Sequence, residues 1–208
     1  PENTLVMVGM LDGTGLEQII TFDHTEHPPT LNGRQTVQDR LDRATLLVAH
    51  NAAHDLMWLW ESGFTYNGEV FDTMLGEYIL QRGQKEPLSL EACAERHQLH
   101  TKKQDTLKEY FKQGLNVSEI PHDELSEYLS ADLHATQQLF RVQDKQYSYG
   151  KGTTLVDTIR LTNQLAVHLA RIYQRGFKVD LTVLEEVRKE FEQEKQELTV
   201  KLEEQVHE

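Results

Sequence analysis

The sequence predicts a mixed α/β domain, and three observations carry that expectation. Two β-rich runs, 4–11 (TLVMVGML) and 16–22 (LEQIITF), are joined by Asp12-Gly13-Thr14-Gly15, a strong hairpin signal. From residue 36 short apolar runs alternate with segments of helical spacing. Beyond residue 80 the pattern is helical almost throughout, so the strands come early and the helices late.

The segment 36–44 (TVQDRLDRA) has helical spacing, and 45–50 (TLLVAH) is a short apolar strand. From Asn51 to Ser62 the helical pattern returns, with Leu56, Leu59 and Trp60 on one face and Gly63 as a stop. Residues 69–80 (EVFDTMLGEYIL) read as a strand turning into a helix, with Asp72 placed to cap it. Further helices are expected at 88–99, 104–113 and 122–144. The polar, glycine-containing stretch 146–154 (QYSYGKGTT) then breaks the pattern. Beyond it Leu155, Ile159, Leu165, Leu169 and Ile172 mark one helix, ended by Gly176. A second helix from about Leu181 carries Leu184, Val187, Phe191, Leu198 and Leu202. Two such amphipathic helices need a surface to cover them. The expected organisation is one domain over 1–148, followed by a linker and a helical hairpin over 149–208.

At 208 residues the chain is long enough to bury a full core. It carries 34 Asp and Glu against 21 Lys and Arg, a formal net charge of -13. Residues 1–150 hold 23 acids against 12 bases, which is -11 of that total. So acidic a surface argues against a broad duplex-DNA clamp, whose affinity comes from Lys and Arg on phosphates. A nucleic-acid enzyme stays open, because surplus acid can recruit divalent cations that meet a phosphodiester. No apolar run approaches bilayer length and no signal sequence opens the chain, so a soluble protein with no membrane partner is expected. Cys93 is the only cysteine, which fits a reducing, cytoplasmic compartment. The chain starts at Pro1 without a methionine and ends at Glu208 inside a helical pattern, so more chain is expected beyond both ends.

The residues 49–60 (AHNAAHDLMWLW) set polar side chains inside an apolar stretch, and burying a lone carboxylate there would be costly. Asn51 and Asp55 are four apart and share a helix face just after a strand. Tyr128 and Asp132 repeat that spacing on a later helix. Two carboxylates from two helices, one beside a phenol, suit a divalent-metal site better than a proton-transfer dyad. Hard oxygen ligands select Mg²⁺ or Mn²⁺.

These motifs, with 46–63, "VFDTMLGEYIL" at 70–80, "LSLEACAERHQL" at 88–99 and "ELSEYLSADLHATQQLF" at 124–140, resemble the 3'-5' proofreading exonuclease domain of family A DNA polymerases, of the bacterial DNA polymerase I and phage types. The resemblance implies a ribonuclease H-like mixed sheet flanked by helices, of the subclass whose last motif is Tyr, three residues, Asp. It also implies two-metal hydrolysis of the 3'-terminal phosphodiester with Mg²⁺ or Mn²⁺. Asp55 and Asp132 would be metal ligands, Tyr128 would orient the attacking water, and Asn51 would position the terminal nucleotide. His50 stands beside Asn51 as a second candidate nucleic-acid contact.

The segment 171–180 (RIYQRGFKVD) is similar to the passage from exonuclease into polymerase, so 149–208 would open a polymerase domain. The implied partners are the single-stranded 3' end of primer DNA and, through that polymerase domain, template-primer duplex. A monomer in the cytoplasm of a bacterial or phage-infected cell, serving replication and repair, is the expected setting. The family's first motif, Asp-x-Glu on the first strand, is absent and is expected upstream of Pro1. Asp12 lies in a hairpin turn, and 23–27 (DHTEH) has the wrong spacing to replace it. Two alternatives remain at this point: a free-standing exoribonuclease similar to ribonuclease D, and a degenerate exonuclease fold that only positions DNA.

Other residues have plainer readings. Neutral imidazole suits softer metals, so polar packing at the strand-helix junction outranks metal ligation for His50 and His54. Cys93, His97 and His100 have helical spacing that suggests zinc, but no fourth ligand is evident and Cys93 sits in an apolar pattern. Asp72 is expected to cap a helix and bind no metal. His24 and His27 read as a solvated loop, Trp58 and Trp60 as packing residues. Lys102, Lys103, Lys108 and Lys112 read equally as a solvated face or a DNA-backbone contact.

Overall fold

A computed structural model describes residues 4–99, 105–149 and 153–206. The chain divides into two compact units, Pro1–Gln174 and Arg175–Glu208.

In the first unit β1 (Met7–Leu11) and β2 (Glu17–Thr21) form an antiparallel hairpin, with Met7 opposite Thr21 and Leu11 opposite Glu17. Asp12 closes the turn, its Oδ1 accepting the N–H groups of Thr14 at 2.9 Å and Leu16 at 3.0 Å. Next come α1 (Gly33–Arg43), β3 (Leu46–Ala49), α2 (Ala52–Glu61), β4 (Glu69–Asp72) and α3 (Thr73–Leu80). The strands β3 and β4 pair in parallel, Leu46 opposite Glu69 and Ala49 opposite Asp72, with α2 as the crossover. The unit continues with α4 (Leu90–Arg96), α5 (Asp105–Lys112), a 3₁₀ turn at Val117–Glu119, α6 (His122–Tyr149) and α7 (Thr153–Arg175).

The strands fall where the sequence predicts them, but the fold is mostly helical with small sheets. Among the described residues β1 pairs with β2 and β3 with β4, as two separate ribbons in place of the expected single mixed sheet. They still share one core. Val8, Met10 and Ile20 of one ribbon join Leu47 and Val70 of the other, together with Val37, Leu41 and Leu56 from α1 and α2. The long helix α6 packs against β1, β2 and β3. Packing on a common helix buries apolar surface without bringing backbone donors and acceptors into ladder register, so the ribbons stay distinct.

Gly9 shows how closely α6 approaches. A Cβ there would lie 2.8 Å from Leu129 and 2.8 Å from Leu133, so only glycine lets the helix seat on β1.

The expected domain end near 148 falls between two helices of the first unit, because α7 packs onto it as well. Ile159, Asn163, Ala166 and Ala170 are buried at spacings of four, three and four, one face of a helix. The expected apolar stripe is therefore split: Ile159 faces inward, whereas Leu165, Leu169 and Ile172 are exposed. The two alanines permit a close approach that leucines would block.

The second unit is chiefly α8 (Leu181–Val206). Asp180 starts it, its carboxylate accepting the N–H groups of Thr182 at 3.0 Å and Val183 at 3.3 Å. Leu184, Val187, Phe191, Leu198 and Leu202 are exposed along it. Among the described residues no helix is long and apolar enough to cross a membrane.

Candidate active site

The polar stretch after β3 is a junction built from three segments. Thr73, fully buried at the start of α3, donates its hydroxyl to the carbonyl of Ala49 at 3.1 Å. His50 lies between them, its Nε2 2.8 Å from the Leu88 carbonyl oxygen and its Nδ1 2.9 Å from Thr73 Oγ1. Burial holds the His50 imidazole below its ordinary range, so the ring is neutral and its Nε2–H donates to Leu88. Nδ1 is then an acceptor that shares the single Thr73 hydroxyl proton with the Ala49 carbonyl, and both ring nitrogens face groups inside the fold. The geometry gives His50 the polar-packing role and leaves no ring nitrogen free for a nucleic acid.

Asn51 follows in the left-handed region, at φ 70° and ψ 52°, with an exposed side chain that makes no cap bond to α2. One turn on, Asp55 is exposed along part of its side chain, while the surrounding protein crowds its carboxylate. That crowding, and then the like charge of Asp72, pushes the Asp55 carboxyl up to about 7. On α2 the apolar face turns the other way: Leu56 is buried, and Leu59 and Trp60 pack on the same core as expected. The Arg171 guanidinium lies 4.6 Å over the Trp60 ring, which confirms Trp60 as a packing residue.

The second motif pair stands on α6, next to Leu129 and Leu133, the residues that seat this helix on Gly9. The Tyr128 hydroxyl donates to the Asp132 carboxylate. Burial pushes the Asp132 carboxyl up, and the tyrosine bond opposes that rise. The segment of α2 that carries Asp55 follows β3 in the chain, and the segment of α6 that carries Tyr128 and Asp132 lies against the hairpin, where Leu129 and Leu133 meet Gly9 and Ser130 donates to Glu17 at 2.9 Å.

The structure thus brings Tyr128 to Asp132, and places Asp55 under the charge of Asp72. Among the described residues no group of three or more His, Cys, Asp or Glu is poised to hold a metal ion. The donor chemistry of Asp55 and Asp132 nonetheless fits a hard cation. Each is a carboxylate whose ionised form the surroundings disfavour, a cost that positive charge would remove.

Asp72 caps α3 as expected, accepting the N–H groups of Met74 at 2.9 Å and Leu75 at 3.3 Å. Sequence reasoning missed the neighbour that organises the rest of this region. Glu77, 2% exposed, accepts from Arg96 Nη1 at 2.8 Å and from Gln143 Nε2 at 3.0 Å, and lies 2.9 Å from His97 Nε2. Burial acts to raise its pKa, but the bonds from His97, Gln143 and Arg96 prevail and hold it below the ordinary range. Gly76 makes room, because a Cβ there would lie 2.6 Å from Gln143 Oε1. The available signal was a carboxylate set among Leu75, Ile79 and Leu80 in an apolar helix.

The zinc-like spacing resolves into this network. His97 pairs with Glu77, Cys93 is fully buried with its thiol pushed up by burial, and His100 lies outside the described residues. His24 is a correction: it is buried, its Nε2 2.9 Å from the Ile120 carbonyl oxygen, while exposed His27 stacks on His122 with ring centroids 3.9 Å apart. Lys112 is exposed on α5, and Lys102 and Lys103 lie outside the described residues.

The family whose model is described as 3'-5' exonuclease, the type belonging to family A DNA polymerases, matches residues 18–173. That stretch contains both motif pairs and ends one residue before the first compact unit does. No curated protein matches the chain.

Proposed function

The chain belongs to the 3'-5' exonuclease domain family of family A DNA polymerases, and from that premise we propose that it is the proofreading region of such a polymerase. It removes misincorporated nucleotides from the single-stranded 3' end of primer DNA. Asp55 and Asp132 would hold divalent cations, Mg²⁺ or Mn²⁺, together with further carboxylates of the family's Asp-x-Glu motif. Divalent charge there would supply stabilisation for the attacking and leaving oxygens of the phosphodiester. Tyr128 spends its hydroxyl proton on Asp132 and keeps lone pairs with which to accept a proton of the attacking water. Asn51, exposed one turn before Asp55, positions the terminal nucleotide. The end is gripped through sugar-phosphate and stacking faces, so no base-specific reading is expected. The polymerase domain, which 149–208 would lead into, brings the template-primer duplex, and the protein acts as a monomer.

The observation that carries this reading is that both motif pairs fall on helices inside the stretch matched by the exonuclease family, with both acidic members displaced upward in pKa. A 5'-labelled single-stranded oligonucleotide incubated with the full polypeptide and Mn²⁺ tests it. The expected result is stepwise shortening from the 3' end that chelation of the metal stops. Internal cleavage, or shortening that survives chelation, would refute the reading.

A further inference from the structure

Asp72 does more than start α3. Its carboxylate, 1% exposed, accepts four backbone N–H groups. Two come from Met74 and Leu75 of its own helix, and the other two come from Asn51 at 3.0 Å and Ala52 at 2.9 Å. The start of α2 is therefore capped by a residue 20 positions away in sequence. Asparagine at an N-cap ordinarily spends its own side chain on the first turn. Asn51 occupies that place on α2 and makes no such bond. It is held instead in a left-handed conformation that costs a non-glycine residue energy and persists only where the surroundings over-determine it. The carboxylate of Asp72, on the N–H groups of Asn51 and Ala52, is what determines it. From α7, Asn163 Oδ1 in turn accepts the Asp72 N–H at 3.1 Å, and Asn163 is itself buried.

We propose that Asp72, braced by Asn163, is a positioning residue for the exonuclease site: it takes over the capping of α2, which releases the Asn51 amide and sets Asp55 one turn later towards the primer end. The inference rests on the exonuclease reading of Asn51 and Asp55. Asp72 touches neither substrate nor cation and acts through these two residues.

The substitution Asp72→Asn keeps the size and one accepting oxygen but turns an amide N–H₂ towards an N–H donor. In the full polypeptide, kcat on a single-stranded oligonucleotide with Mn²⁺ falls about 30-fold per folded molecule, with KM changed less than about threefold. Combined with Asn51→Ala, Asp72→Asn adds less than its separate effect, because both act through one amide. A purely structural cap would instead lower the folded fraction, leave kcat per folded molecule alone, and multiply with Asn51→Ala; that result would overturn the proposal. Amide hydrogen exchange reads the same device without nuclease activity. In Asp72→Asn the amides of Asn51 and Ala52 exchange at least about tenfold faster, while those of α4 keep their protection. Unchanged exchange at Asn51 and Ala52 overturns the proposal whether or not the chain cleaves DNA. Faster exchange in a chain whose unaltered form never shortens a 3' end would overturn the exonuclease reading, and the positioning role with it.

Discussion

At the start of α3 the carboxylates of Asp72 and Glu77 are sealed from solvent and met by donors, four N–H groups on one and Arg96, His97 and Gln143 on the other. On α2 and α6 the carboxylates of Asp55 and Asp132 are crowded without being sealed, and both carboxyls are pushed up. The two regions lie within one domain and draw on the same residue types. What separates them is the supply of hydrogen-bond donors. A buried acid given enough donors becomes part of the scaffold, whereas a crowded acid left short of them would gain from a cation, as the proposed function requires. On the proposed function the contrast would let an acidic chain act on a polyanion, its acids serving the fold in one place and recruiting counter-charge in the other.

The sharpest way to break this division is to remove one acid from each side. Asp55→Ala or Asp132→Ala should lower 3'-end cleavage at least about 10²-fold while leaving the thermal transition near that of the unaltered protein. Glu77→Ala should do the reverse, costing about 3 kcal/mol of stability in denaturant because Arg96 and His97 lose their shared acceptor. Full activity in either first variant, or an unaltered midpoint in the second, would erase the distinction. Tyr128→Phe is milder: kcat should fall about tenfold with DNA affinity retained, and equal activity would remove the water-orienting role.

The smallest effect expected is in the pH dependence of the metal-free protein. The Asp55 carboxyl is raised from 3.8 to about 7 on folding, so its contribution is fully present below pH 3.8 and is lost as pH rises through 7. Urea midpoints should therefore drift down across that window, slightly, since solvent reaches the group, and Mn²⁺ added above it should restore them. Glu77 runs the other way. Its pKa is depressed below 4.5, so its contribution is present above that value and lost as pH falls through the depressed one. Glu77→Gln should flatten the acid limb and leave the drift towards neutrality untouched.

Much of this molecule was legible in local pattern. The hairpin at Asp12–Gly15, the strand 46–49, the helix beginning after Asn51 and the cap at Asp72 all follow from spacing and turn chemistry that operate over a few residues. What stayed hidden depends on pairing across the chain. Nothing local tells Met7–Leu11 that its edge will not join Leu46–Ala49, because ladder formation is decided by non-local register. On α7 the leucines gave the stronger pattern, yet Asn163, Ala166 and Ala170 face inward, since a polar bond to Asp72 and close backbone approach outweigh side-chain hydrophobicity there. The spacing of 51/55 and of 128/132 put each pair on or at the start of a helix, as in the structure, whereas the Glu77 network draws on α3, α4 and α6 and has no sequence period to betray it. His50 and His24 had the same difficulty, their partners Leu88 and Ile120 lying 38 and 96 residues away.

The central claim is that Asp55 and Asp132 serve one cation cluster. Anomalous diffraction from crystals of the full polypeptide grown with Mn²⁺ and a single-stranded oligonucleotide measures this directly. Manganese peaks roughly 2.0–2.6 Å from carboxylate oxygens of both residues, with the 3' end alongside, are expected. Peaks beside only one of the two, or at separate surfaces of the protein, would contradict it.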